Sequence, residues 1–234
     1  MWADSRDALT DLDLPNRTRV LDVGCGTGEL TRVLASESAE SEADAEVIGV
    51  DADRRLLDVA SDHVPTVAGD ALRLPFADDS VDLVVCQALL INLPEPAAAL
   101  REFARVSTDL VAAIEPNNAA VSVDSTVDSE VELESRVREA YLRGVDTDVA
   151  LGEQVESLFD EVGIAPILTR QYDHEKRTEP PYSEDALRSA KRKASGDGLA
   201  DHETELRRGV ADGATYDTLR RAWRKMGREV IEQM

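Results

Sequence analysis

The stretch VLDVGCGTGEL, residues 20–30, limits the possible folds more than any other part of the chain. A short apolar run containing one acid leads into glycines at 24, 26 and 28. From residue 29 the apolar side chains recur at helical spacing. Strand, glycine turn and helix together open a βαβ unit. Glycines at such a turn let backbone come close to a bound ligand.

The alternation continues downstream. Residues 18–23, 45–51, 65–70, 80–87 and 109–116 are predicted strands. Helical periodicity falls at 29–37, at 53–63 with Asp53 placed to cap it, and at 97–106 behind Pro94 and Pro96. This order predicts an α/β fold with a doubly wound, mostly parallel sheet. Residues 37–46 are small and acidic with no apolar face, and are expected to be a solvated loop insertion. Beyond Pro116 the alternation stops. Helices are expected at 131–144, ending on Gly144, and at 150–164, with a sixth strand at 166–176 and helices from Tyr182 to the end. The expected domains are 1–172, with a helical insertion at 117–150, and a helical extension over 173–234.

Composition narrows the function. The chain has 234 residues and a formal charge of −22, with 22 Arg, four Lys and 4% aromatic residues. Acid excess and scarce Lys resemble proteins of halophiles that accumulate salt; an ordinary acidic enzyme is the alternative. Residues 171–234 hold 13 basic and 13 acidic residues, so the whole excess lies before them. There is no apolar run of 18 residues and the first residues carry no leader pattern, so a cytoplasmic location is expected. Two cysteines and three scattered histidines share no metal-ligand spacing, so no metal is expected. Cys25 and Cys86 are expected to pack as small apolar groups.

The glycine spacing separates two kinds of ligand. A dinucleotide turn follows G-x-G-x-x-G, whereas here the glycines run G-x-G-x-G and Glu29 takes the sixth place. A glutamate at the amide end of the first helix would oppose a pyrophosphate. A ligand with a cationic centre and no phosphate suits the turn better.

With these landmarks the chain resembles the class I S-adenosylmethionine (SAM) dependent methyltransferases, VLDVGCGTG being close to their first motif. The resemblance covers about 20–116 and, more weakly, extends to about Tyr172. It implies a cofactor shell of Asp22, Gly24, Cys25, Gly26, Gly28, Asp51, Ala52, Asp70, Ala71 and Gln87. Asp22 would support the glycine loop and the ligand's amino group. Asp51, ending the second strand, would accept from both ribose hydroxyls, with helix capping left to Asp53. Asp70 would meet the adenine amino group and the Ala71 amide a ring nitrogen, unless Asp70 only shapes a turn. Gln87 would place backbone near the methionine moiety. The family usually adds an antiparallel seventh strand, which is not evident here.

No catalytic residue is assigned. Asn92 is a candidate substrate contact or a helix cap, and Glu115 a candidate base, substrate contact or plain loop carboxylate. Tyr141, Tyr172 and Tyr182 could line an acceptor pocket or only pack, and the helices after Tyr182 could cover it. The implied function is methyl transfer from SAM to an unidentified small molecule, by a monomer or homodimer and without a membrane. The alternatives are a non-catalytic SAM-binding protein and a methyltransferase acting on RNA. The only basic clusters, at 191–193 and 220–225, lie among acids, so nucleic acid is not the expected acceptor.

Overall fold

The structure, a computed structural model, describes residues 2, 6–39, 45–210 and 215–234. Residues 40–44 of the acidic insertion lie outside them. The chain divides into two compact units, one of 1–116 with 151–174 and the other of 117–150 with 175–234.

The first unit is built on a parallel sheet. Its strands are β1 (Arg19–Val23), β2 (Glu46–Asp51), β3 (Thr66–Ala68), β4 (Val81–Gln87) and β5 (Ser107–Ile114), in the order β3-β2-β1-β4-β5. Every pairing is parallel, which requires helical crossovers and buries the central strands on both faces. That is why these strands are continuous apolar runs. Leu21, Val23, Ile48, Val50, Val84 and Cys86 turn to one face, where α3 (Pro96–Val106) contributes Leu100, Phe103 and Val106. Val20, Val47, Leu83 and Val85 turn to the other, against Leu30 and Leu34 of α1 (Glu29–Ala39). On that second face also lie Leu9 and Leu12, from a 3-10 turn at Asp7–Leu12. Between β2 and β3 runs α2 (Arg54–Ala60), its first turn capped by Asp53, which accepts from Arg55 N–H as expected.

The fold is the expected doubly wound, Rossmann-like sheet. The strand order reverses between β1 and its neighbours β2 and β4, and ligands of such sheets bind at the carboxyl ends of strands flanking the reversal.

Two expectations fail. The helix expected at 150–164 is broken into a 3-10 turn, Leu151–Glu153, and a separate short helix, α5 (Val155–Glu161). The sixth strand expected at 166–176 does not form: that segment pairs with no strand, and Ile167 and Leu168 are 83% and 54% exposed. Its polar side chains are drawn to the 3-10 turn instead. Arg170 Nε lies 2.6 Å from Asp11 Oδ2, and Tyr172 Oη donates to Asp7 O at 3.4 Å. Pro166 brings no N–H to a ladder. Among the described residues no strand covers the outer edge of β5, and no seventh strand is present.

The second unit is helical. It contains α4 (Asp128–Gly144), α6 (Glu184–Ser195), α7 (Asp197–Ala200), α8 (Glu203–Gly209) and α9 (Tyr216–Gln233). Leu133 and Ala140 of α4 share one core with Leu199, Leu206, Tyr216, Leu219, Trp223 and Met226. The segment 117–150 is therefore no free insertion of the first unit, because its apolar face is covered by the C-terminal helices. The basic cluster 191–193 is also partly spent within this unit. Lys193 Nζ meets Glu130 and Glu134 at 2.5 and 2.7 Å, and Arg192 meets Asp201 at 2.5 Å.

Candidate cofactor site

The glycine loop hangs from the end of β2. Gly24 N–H and Cys25 N–H both donate to Val50 O, at 2.7 and 3.0 Å, and Gly28 N–H closes the turn on Cys25 O at 2.8 Å. Gly24 has φ +75°, a conformation that favours glycine, and a Cβ there would stand 2.8 Å from Leu89 Cδ1 and push that side chain aside. Gly26 has φ +55°, and nothing lies within 4 Å of where its Cβ would point. Any side chain there would project into the open cradle at the mouth of the sheet.

Asp51 is fixed at that mouth. Its Oδ2 accepts from Gly26 N–H at 2.9 Å and its Oδ1 from Asp53 N–H at 2.8 Å. A carboxylate has about four lone-pair sites, so each oxygen keeps a second one for a ligand donor. Ala52, between these partners, is exposed. Asp70 is exposed just past β3; its Oδ1 accepts from Leu72 N–H at 2.9 Å and so sets the turn around buried Ala71. The turn role and a ligand role are compatible here, since Oδ2 takes no part in the turn.

Asp22 lies beneath the loop, 1% exposed, its Oδ2 receiving Thr31 Oγ1–H at 2.6 Å. Burial raises its pKa to about 7. Hydrogen bonds from the Thr31 hydroxyl and amide pull down, and the charge of Asp51 adds to the rise. Cys25 is pushed up to about 12, chiefly by burial and then by Asp22 and Asp51, and burial likewise raises Cys86. Both thiols stay protonated and pack as expected; neither has thiolate character.

The loop after β4 is held from β5. Ala88, at φ +49°, follows Gln87 and donates its N–H to Ile114 O at 2.9 Å. Glu115 Oε1 then accepts from Leu89 N–H at 3.1 Å and Leu90 N–H at 2.9 Å, and Oε2 from Ile91 N–H at 3.3 Å. Cys86 Sγ stands 3.8 Å from Oε1. Burial raises the Glu115 pKa against the pull of these three amides. Glu115 therefore anchors this loop, a role beyond the base, substrate contact or plain loop carboxylate that the sequence offered. Asn92 donates from Nδ2 to Ala88 O at 2.7 Å, within the same loop. It does not cap α3, whose N-cap is Glu95 without a side-chain bond.

Sequence reasoning did not find Trp2. Its indole Nε1–H donates to Gln87 Oε1 at 2.9 Å, a contact spanning 85 residues. No local pattern signals it. Tyr141 and Tyr182 belong to the second unit, and Tyr141 meets His202 edge to face at 5.1 Å.

The site is thus a glycine cradle with Asp51 and Asp70 at the strand ends, Asp22 buried beneath it and the acid Glu29 in the first turn of α1. These acceptors suit hydroxyls, amino groups and a cation, and oppose a phosphate. Among the described residues no group of His, Cys, Asp or Glu could hold a metal ion.

A family model described as "Methyltransferase domain" matches residues 21–109. Demethylmenaquinone methyltransferase of Lactiplantibacillus plantarum is 37% identical over 110 residues, covering 43% of this chain and 45% of the relative. The enzyme of the same name from Staphylococcus aureus is 36% identical over 104 residues, 42% of each chain. This chain therefore spans less than half the length of these curated relatives. Among solved structures, a SAM-dependent methyltransferase from Aquifex aeolicus is similar with a TM-score of 0.48 and 19% identity, over 69% of this chain and 85% of that one. Residues 21–109 thus match a methyltransferase-domain family, in agreement with the resemblance drawn from the sequence.

Proposed function

We propose that this chain is a SAM-dependent methyltransferase acting on a small molecule. The observation that carries the reading is Asp51, held by Gly26 N–H and Asp53 N–H beside an open glycine cradle. The geometry fits the ligand. Asp51 would receive the two ribose hydroxyls, Asp70 and Ala71 the adenine edge, and Asp22 with the glycine loop the amino-acid end. Ala52 and Cys25 would contribute backbone, and Gln87 would border the methionine moiety.

SAM supplies a methyl group already activated on a sulfonium. The chain's own task is to hold donor and acceptor in line, which in well-oriented reactions contributes roughly 7–11 kcal/mol. No side-chain nucleophile is needed, in keeping with two protonated cysteines. Nor is Glu115 placed as a base, since its oxygens are turned to loop amides. It and Asn92 instead shape the loop that would carry the reacting end.

The match to the two demethylmenaquinone methyltransferases is confined to less than half of each, so it supports methyl transfer and leaves the acceptor open. Acceptor choice is assigned to elements outside the sheet, with Tyr141 and Tyr182 as candidates. A nucleic acid is disfavoured because Arg192 and Lys193 of one basic cluster and Lys225 of the other are paired with acids of their own unit.

Calorimetry tests the cofactor. SAM is expected to bind, and Asp51→Ala to weaken binding by about 1.5–3 kcal/mol, the worth of hydrogen bonds to a charged acceptor. Unchanged affinity in that variant would overturn the ribose assignment. Turnover to S-adenosylhomocysteine in the presence of small-molecule extract separates an enzyme from a mere binder.

A further inference from the structure

Trp2 is 4% exposed and packs with Leu9, Leu12, Leu30 and Leu34 on the α1 face of the sheet. Burial alone would make it an ordinary core residue. Its hydrogen bond is not ordinary, because the indole N–H ends on the side chain of Gln87, the last residue of β4. An indole can only donate, so it claims the carbonyl oxygen of the Gln87 amide. That choice decides which end of the amide faces away from Trp2. Gln87 in turn precedes the loop that Glu115 holds, and Leu89 of that loop lies against Gly24. One continuous set of contacts therefore runs from the N-terminal indole to the glycine cradle.

We propose that Trp2 is a positioning residue of the cofactor site: its indole orients the Gln87 amide and, through it, the start of the loop that Glu115 holds. This rests on the SAM reading above. Docking of Trp2 and occupancy of the pocket are then coupled, and each stabilises the other.

The chain has two tryptophans, and Trp223 lies in the core of the second unit. Trp223→Phe leaves Trp2 as the only indole. That variant is titrated with S-adenosylhomocysteine, reading emission and calorimetric heat on the same sample. The expected result is a saturable emission change whose midpoint equals the calorimetric Kd. In Trp2→Phe the heat should persist, the emission change should vanish, and affinity should fall about three- to tenfold, the loss of one neutral hydrogen bond. Heat without an emission change in Trp223→Phe, or undiminished affinity and emission change in Trp2→Phe, would overturn the role of Trp2. Absence of heat in the unaltered protein would instead overturn the SAM reading, and this inference with it.

Discussion

Asp22 is a carboxyl held in a place that penalises its charge. Its folded pKa of about 7 lies above the ordinary value of 3.8. An acid raised in this way favours the folded state at low pH. Between about pH 4 and 7 the folded protein binds more protons than the unfolded chain, so stability falls as pH rises through that window. Asp22→Asn is therefore expected to raise the Tm of the ligand-free protein at pH 7.5 relative to the parent and to matter little at pH 4; thermal scans at both values check this. The same group makes ligand binding sensitive to pH. If Asp22 serves the amino group of SAM, affinity rises with pH by at most about tenfold per unit below 7 and levels off above. Calorimetry at pH 6 and 8 should show that rise in the parent and a flat profile in Asp22→Asn. Glu115 gives a further residue-scale expectation. Glu115→Ala strands the amides of Leu89, Leu90 and Ile91, at about 1–3 kcal/mol for each amide left buried without a partner. Glu115→Gln keeps one oxygen for Leu89 and Leu90 but turns an amide NH2 to Ile91 N–H, so it should recover only part of the Tm and the SAM affinity. Equal losses in both variants would show that the negative charge, and not acceptance alone, holds the loop.

At the scale of elements, the second unit depends on close backbone approach. A Cβ on Gly209 of α8 would lie 1.7 Å from Ala140 O, and one on Gly144 of α4 would lie 1.8 Å from Glu205 O. The two helices touch through paired glycines, as Gly227 of α9 does against Ala194 of α6, with a Cβ only 2.4 Å from backbone. Backbone cannot yield as a side-chain tip can. Gly209→Ala is expected to cost about 1–3 kcal/mol or more by forcing α4 and α8 apart. The near-ultraviolet signal of Trp223 should weaken, while SAM affinity, which belongs to the first unit, stays near the parent value. Calorimetry on the variant distinguishes local from global damage. On the sheet side Gly26 faces open space but holds φ +55°, which a β-branched residue rarely adopts, so Gly26→Val should lower the stability by about 1–2 kcal/mol through backbone strain alone and abolish ligand binding.

For the whole molecule, charge and unit boundaries set the behaviour. A formal charge of −22 is self-repulsive when the screening length is about 10 Å, near 0.1 M salt, and much less so at about 3 Å, near 1 M. The Tm is expected to rise from about 0.1 M to about 2 M salt; a flat or falling Tm would reject adaptation to high salt. Removing everything after Lys176 is expected to do more than open a pocket. It uncovers Leu133 and Ala140 of α4, which are buried against α8 and α9. The shortened chain should bind SAM through its first unit yet aggregate or bind apolar dyes, as measured by light scattering and dye fluorescence. A well-behaved monomer would show that α4 finds another cover.

What the sequence determined by itself was local or periodic. Apolar runs and helical spacing were enough for the parallel sheet, because strands buried on both faces can hardly be written otherwise. The glycine spacing marked the turn, since a positive φ at Gly24 restricts the residue wherever the fold places it. Asp53 could be told from Asp51 because capping is settled within one helical turn. Tertiary structure alone decided the rest. Residues 166–176 have strand-like composition, yet they do not pair with the open edge of β5, and their charged and phenolic groups reach Asp11 and Asp7 instead. The grouping of 117–150 with the C-terminal helices depends on which apolar face covers α4, a choice between partners roughly 60 or more residues away that periodicity does not encode. Glu115 was legible as a carboxylate at a strand end; that it would serve three amides of another loop was not. Trp2 and Gln87 meet across 85 residues because Trp2 packs with Leu30 and Leu34 on the α1 face of the sheet, and no spacing along the chain records that contact.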